Sequence, residues 1–266
     1  MQGAVAQVAA FGPFFAFEVH PAGSPLRPPW RPMTELVDDP AVLADRTAGV
    51  RGYLAAGGGQ QPERVELRVA ASVVHLGLVA RLVSPALAWA GLFGTVLAPE
   101  LAQLRWQPVL GGGFPLSLAG GGAPPAWTAE LLPGRAPERG AELAPEQLAE
   151  RLGRWLLEGP VAALAAATEP LGVSAHILRG NTASAVNGAA AALAATAPAP
   201  VAARARRVAA LLQQQPALDG ASIRADGPGP GFRRRSCCLI YRAAPARNGP
   251  LCGDCVLTPR RPPARS

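Results

Sequence analysis

All four cysteines of this 266-residue chain lie in its last thirty residues, at Cys237, Cys238, Cys252 and Cys255. A segment of about thirty residues is too short to build an apolar core of its own, so it needs a covalent or metal staple to fold. The thiols are the obvious candidates for that staple. How they are used therefore decides what the C-terminal segment can fold into.

The second pair of cysteines has the spacing of metal ligands. Two residues separate Cys252 from Cys255, and a tight turn of this length brings both sulfurs to one metal ion. We expect Gly253 to relieve the backbone strain of that turn. This half of the pattern favours a metal centre.

The first pair is unusual, because Cys237 and Cys238 are adjacent. Neighbouring side chains in an extended chain point in opposite directions and do not easily converge on one ion. A two-iron cluster offers terminal positions on two irons, so it accommodates an adjacent pair more readily. A structural Cys₄ zinc site, two disulfides and free buried cysteines stay open as alternatives, and the spacing does not say which thiols would share an iron.

The N-terminus does not have the pattern of a secretory signal. Its first twenty residues are apolar but lack a positively charged start, contain Pro13 and soon reach Glu18. We therefore expect a cytoplasmic protein. Cytoplasmic thiols stay reduced, which again favours metal or redox chemistry over disulfides.

The positive charge of the chain is spread in short arginine clusters. The formal net charge is +7 and every basic residue is Arg. The clusters at 204–207, 233–235 and 260–265 are not interleaved with aromatic residues, as a nucleic-acid surface would require. We interpret them as solvated arginines and expect no nucleic-acid partner.

The rest of the chain predicts an α+β protein with a predominantly helical body and a short β hairpin. Apolar spacing predicts two consecutive buried helices, over 62–83 and from Ser84 to Leu97. The apolar stretch 69–98 is interrupted by polar residues and Pro85, so we expect no transmembrane span, with peripheral membrane contact left open. The other predicted parts are an irregular lead-in (20–32), a helix capped by Thr34 or Asp38 and ending near Ala56, a hairpin (104–110 with 114–118), a surface loop (120–145), and helices at 145–167, 173–195 and 197–215.

Few other residues suggest chemistry. His75 reads as a hydrogen-bonded core histidine. His176, Arg179 and Asn181 surround a glycine inside a helical pattern, where a network at a helix terminus is favoured over a ligand pocket. The glycine runs lack the Lys and Ser/Thr of a phosphate loop, and there is no Gly-x-Ser-x-Gly elbow.

Residues 236–257 resemble the C-terminal cysteine signature of the FhuF-type ferric-siderophore reductases, which has two adjacent cysteines, a loop, and a final Cys-x-x-Cys. Tyr241 and Arg242 after the first thiols, and the closing CysGlyAspCysValLeu, are part of the likeness. Segments 178–186 and 68–87 are also similar to that family. The loop between the cysteine pairs is a few residues longer here, an insertion that a surface loop tolerates.

The resemblance implies a function and a division of labour. All four cysteines, Cys237, Cys238, Cys252 and Cys255, would hold a [2Fe-2S] cluster in a segment spanning 229–266. A helical body spanning 1–228 would bind a ferric siderophore as substrate. A reduced electron-donor protein would supply one electron, and reduction of Fe(III) to Fe(II) would release the iron for acquisition by the cell.

Two further expectations follow from this reading. Four arginines near the thiols, Arg233, Arg234, Arg235 and Arg242, would raise the midpoint potential by stabilising added negative charge. A zinc-stapled binding module without enzymatic activity, or an electron carrier that serves another enzyme, are the alternative functions.

Overall fold

The computed structural model describes residues 2–120, 142–224 and 231–258. It is an α+β fold and mainly helical, as predicted. Its helices are α1 (Gln2–Ala9), α2 (Glu35–Asp38), α3 (Pro40–Gly57), α4 (Leu67–Phe93), α5 (Pro145–Leu152), α6 (Ala162–Thr168), α7 (Ala175–Thr196) and α8 (Ala199–Leu212). Its strands are β1 (Glu18–Pro21), β2 (Arg31–Pro32), β3 (Leu104–Trp106), β4 (Leu116–Gly120), β5 (Ser222–Arg224) and β6 (Phe232–Arg234).

Helix α4 forms the centre of the fold and packs against α3, α7 and α8. The prediction of two helices meeting at Ser84 is wrong, because α4 continues through Pro85. A proline inside a helix costs about 3 kcal/mol. Residues on both sides of it, including Val83 and Leu87, are buried in the core, and that burial offsets the cost.

Helix α4 is also the one helix of the described ranges that is long and apolar enough to cross a membrane by length and composition. Two thirds of its apolar window (67%) is buried inside the protein. Packing against neighbouring helices therefore accounts for the apolar character of Leu67–Phe93.

A small sheet in the order β1-β4-β3-β2 covers one side of the helices. The predicted hairpin is confirmed as β3 and β4, which pair antiparallel with Leu104 opposite Leu118. Strand β1 joins β4 in parallel, and β2 joins β3. The proline-rich lead-in is thus less irregular than predicted, since it holds the end of β1 and all of β2.

Arg81 fastens the N-terminal segment to α4. Its side chain is 1% exposed, and it donates hydrogen bonds to the carbonyl oxygens of Phe14, Ala16 and Phe114. Burial lowers the pKa of Arg81 to about 10. These three carbonyl oxygens supply the hydrogen-bond acceptors that a carboxylate supplies in most buried arginine sites.

The helices after the sheet follow the predicted pattern with local differences. The Asp39 side chain caps α3 by accepting from the amide of Ala41, so neither Thr34 nor Asp38 is its cap. A π-helical segment, Gly153–Val161, joins α5 to α6. Most of the predicted surface loop at 120–145 lies outside the described residues.

The C-terminal segment returns to the body as a short hairpin and a run of turns. Phe232–Arg234 follows a run of glycine and proline, yet it forms β6 and pairs with β5. The predicted boundary between 228 and 229 lies outside the described residues. Beyond β6, Leu239 and Ala243 pack against Val65, just before α4, and Val69, in its first turn.

Candidate metal centre

The four cysteines gather into one site, 3.7–4.4 Å from one another. The sulfurs of Cys238 and Cys252 lie 3.7 Å apart, and Cys237 interacts with Cys255. Metal–sulfur bonds of about 2.3 Å at tetrahedral angles put two thiolates about 3.8 Å apart. Cys238 and Cys252 therefore have the separation of two ligands on one metal atom.

Each pair takes one cysteine from each half of the sequence motif. The adjacent thiols Cys237 and Cys238 have different partners. Each then meets one cysteine of the Cys-x-x-Cys turn. Among the described residues, no three His, Cys, Asp or Glu side chains form a group that could hold a metal ion, and the cysteines come together two by two.

A left-handed residue shapes the chain at the first pair. Leu239 has φ 69°, an uncommon conformation for a residue with a side chain, and its own side chain is buried. The Ser72 hydroxyl of α4 donates to the carbonyl of Cys238 at 2.9 Å and holds the turn in place. Gly253, which the sequence suggested as the relief point, is not among the glycines with positive φ.

Backbone amides and one guanidinium point at the sulfurs. The amide of Leu239 donates to Cys237 Sγ at 3.3 Å, and the amide of Leu257 donates to Cys255 Sγ at 3.4 Å. Arg234 Nη2 donates to Cys252 Sγ at 3.3 Å. Donors on the sulfurs are the usual outer environment of metal-bound thiolates, so the residues present fit a cysteine-ligated metal cluster.

Arg234 belongs to a buried polar network that joins the cysteine site to the body. Its side chain is 0% exposed, and Nη1 donates to Asn181 Oδ1 at 2.7 Å. Asn181 Nδ2 donates in turn to the carbonyl of Ser72 at 3.0 Å. Through Ser72 and Asn181, α4 and α7 together fix the position of a positive charge beside the thiols.

The thiols titrate unequally because of this environment. Contact with Cys252, helped by the positive charge of Arg234, lowers the pKa of Cys238 to about 6. The same contact raises the pKa of Cys252, and burial raises that of Cys237. A thiolate is the form that binds a metal, and Arg234 favours that form at Cys238.

The other arginines named from the sequence make different contacts. Arg233 donates to the carbonyl of Val256 at 2.8 Å, Arg235 to the carbonyl of Ser222 at 3.3 Å. Arg242 forms an ion pair with Glu66 at 2.6 Å. Of the four arginines, only Arg234 donates a hydrogen bond to a sulfur among the described residues.

The structure does not bring together the histidines and the other polar residues that the sequence singled out. Helix α7 runs through Gly180 without a break, so the predicted helix terminus is wrong there. Asn181 faces the cysteine site, whereas His176 and Arg179 are exposed. His75 is a buried core residue, but neither ring nitrogen has a partner within the described residues, contrary to the expectation of a hydrogen-bonded histidine.

No protein-family model matches the chain, and no curated protein matches its sequence. The interpretation of the site rests on its own geometry and on the cysteine signature. Sequence reasoning named the four ligand candidates, but it did not separate Arg234 from its neighbours. Successive side chains of a strand point to opposite faces, so recognising β6 in the sequence would have placed Arg234 on the opposite face from Arg233 and Arg235.

Proposed function

We propose that the chain is a ferric-siderophore reductase of the FhuF type, which holds a [2Fe-2S] cluster on Cys237, Cys238, Cys252 and Cys255. The observation that carries this proposal is the gathering of the four thiols into two neighbouring pairs, with hydrogen-bond donors aimed at three of the sulfurs. When bound, such a cluster gains and gives up one electron at a time, which is the stoichiometry of Fe(III) reduction.

The pairing also divides the ligands. Cys238 and Cys252 would hold one iron, and Cys237 and Cys255 the other. Sulfurs about 3.8 Å apart fit a single tetrahedral zinc ion as well as one iron of a cluster. The likeness of residues 236–257 to the reductase signature is what supports the cluster over the zinc-stapled module.

The protein's own residues supply position and charge. Asn181 and Ser72 hold Arg234 against Cys252, where its guanidinium stabilises negative charge on the thiolates. Cys238 and Cys255 are each 2% exposed, so the body shields part of the centre from water. Charge stabilisation of this kind favours the reduced state and raises the midpoint potential.

Anaerobic purification followed by iron and acid-labile sulfide analysis tests the proposal. We expect equal amounts of iron and sulfide, two of each per chain by the definition of the cluster, and visible absorption that dithionite bleaches. The reduced protein should then release Fe(II) from a ferric siderophore, followed with an Fe(II)-specific chelator. A colourless protein that contains zinc would contradict the cluster, and a reducible protein that releases no Fe(II) would indicate an electron carrier.

A further inference from the structure

A cleft of about 630 Å³ opens directly beside the cysteine site. Helices α7 and α8 form its sides, and Phe232 of β6 and the turn residues Gly253 and Asp254 form its end. Small-molecule sites have volumes of about 300–1,000 Å³. Since Gly253 and Asp254 lie between Cys252 and Cys255, anything bound in the cleft lies against the loop that carries two of the thiols.

The end wall of the cleft is fixed to the body. The Ser184 hydroxyl of α7 donates to Asp254 Oδ2 at 2.5 Å, and the amide of Arg234 donates to the Asp254 carbonyl at 3.0 Å. These two bonds hold the Cys-x-x-Cys turn against α7 and β6. The distance from the cleft to the cysteine site is therefore set by the fold, which electron transfer to a bound molecule requires.

One positive charge in the lining lacks an acidic partner. Two neighbouring arginines of α8 are neutralised, since Arg204 pairs with Glu142 and Arg207 pairs with Glu146. Arg206 lines the cleft and has no ion pair among the described residues. The carboxylate of Asp254 interacts electrostatically with the buried Arg234 and accepts from Ser184, so the guanidinium of Arg206 gives the cleft a preference for an anionic guest.

We propose that this cleft is the binding site for the ferric chelate, and that Arg206 makes it favour an anionic oxygen-donor complex of Fe(III) over one without net negative charge. This assignment rests on the proposed function for the identity of the guest. The guest binds between α7 and α8, next to the turn that joins Cys252 to Cys255.

Gly188 of α7 provides a way to fill the cleft. It lines the cleft, and a Cβ built on it meets nothing within 4 Å. The side chain of Gly188→Phe would therefore occupy the space of the guest. Gly52 of α3 also lies within a helix with nothing within 4 Å of its Cβ position, so Gly52→Phe is a matched control outside the cleft.

The test measures binding of a ferric tris-catecholate, which is anionic, by equilibrium dialysis with radioactive iron. We expect Gly188→Phe to weaken binding by more than about tenfold, and Arg206→Gln to weaken it by about tenfold, with Gly52→Phe and Arg207→Gln close to the unmodified protein. A ferric trihydroxamate without net negative charge should bind more weakly and be insensitive to Arg206→Gln. Equal binding by Gly188→Phe and Gly52→Phe would overturn the site, and equal loss in Arg206→Gln and Arg207→Gln would overturn the role of Arg206.

Dialysis does not depend on electron transfer, so the two proposals fail separately. A protein that lacks a cluster but binds the chelate with the expected sensitivity to Gly188→Phe supports the cleft and refutes the reductase. A protein that contains the cluster but binds neither chelate refutes the cleft. Arg206 is exposed, so Arg206→Gln keeps the test decisive even if Gly188→Phe does not fold.

Discussion

The buried side chains of α7 and those of the C-terminal segment differ in kind. In α7, Val186 and Leu193 are fully buried among other aliphatic residues of one large core. Between residues 231 and 258, the buried side chains are Arg234, Ser236, Cys238, Leu239, Ala243 and Cys255. The body is thus stabilised by many interchangeable apolar contacts, and the segment by a few specific polar and thiol contacts. Single substitutions should separate these two kinds of stabilisation.

The largest expected effect is on the thiols. Cys238→Ser and Cys255→Ser each remove one sulfur from a different pair, so we expect either change to abolish the visible absorption and the bound iron. The helical body should survive, as judged by far-ultraviolet circular dichroism. A variant that keeps full iron and sulfide would contradict the role of the substituted cysteine as a ligand.

A substitution in the helical core should instead lower the stability of the body and leave the metal centre intact. Leu193→Ala removes a 0%-exposed side chain from the core and is expected to cost about 2–5 kcal/mol of unfolding free energy. Denaturant titration measures this cost, and the visible spectrum of the folded variant should not change. A spectrum altered as strongly as that of the cysteine variants would mean that the two regions are not separable.

The cysteine and Leu193 substitutions probe the two features that the sequence predicts best. Periodic apolar spacing predicts α7 and α8, and the clustering of Cys237 to Cys255 predicts where chemistry lies. The continuation of α4 through Pro85 depends on burial from all sides, which local propensity does not contain. Strand β6 follows a run of glycine and proline and forms only because β5 pairs with it.

The position of Arg234 could not be predicted for the same reason. Three consecutive arginines look alike in the sequence, and their separation arises from the strand and from Asn181 in a distant helix. Asn181 and Ser72 lie far apart in the chain, so the network around the thiols is a product of the helix packing. Sequence patterns identify the ligands better than they identify the residues that hold them.

Arg234→Gln tests that network. Loss of hydrogen bonds from a charged group costs about 1.5–3 kcal/mol, and we expect a lower midpoint potential because a positive charge beside Cys252 is gone. Spectroelectrochemical titration measures the potential. Arg235→Gln and Arg242→Gln are the controls, since Arg235 bonds to Ser222 and Arg242 pairs with Glu66. A shift as large in either control would remove the special role of Arg234.

His75 makes the body sensitive to acid. Burial lowers the pKa of His75 to about 4, from about 6.5 in the unfolded chain. Because the unfolded state binds the proton more readily, stability is lost as the pH falls below about 6.5, and the loss from this group between pH 7 and pH 5 is about 2 kcal/mol. Unfolding free energies at both pH values, compared between the unmodified protein and His75→Met, isolate this contribution. Equal pH dependence in the two proteins would rule it out.

The finest comparison uses two glycines of the same helix. A Cβ on Gly180 would lie 2.0 Å from Ser236 Oγ, so α7 and the C-terminal segment touch there, whereas a Cβ on Gly188 meets nothing within 4 Å. Gly180→Ala should cost about 1–3 kcal/mol by overpacking this contact and should loosen the cysteine site. Gly188→Ala should instead stabilise the helix by about 0.5–1 kcal/mol.

Both glycine variants are measured by denaturant titration and by the intensity of visible absorption per chain. Since the two substitutions share a helix and a chemistry, their helix propensity terms cancel. The difference between their unfolding free energies therefore reports the contact of the residue 180 side chain with Ser236. If both variants gain stability and keep full absorption, Ser236 can move aside without cost, and the contact between α7 and the cysteine segment does not help to hold the site together.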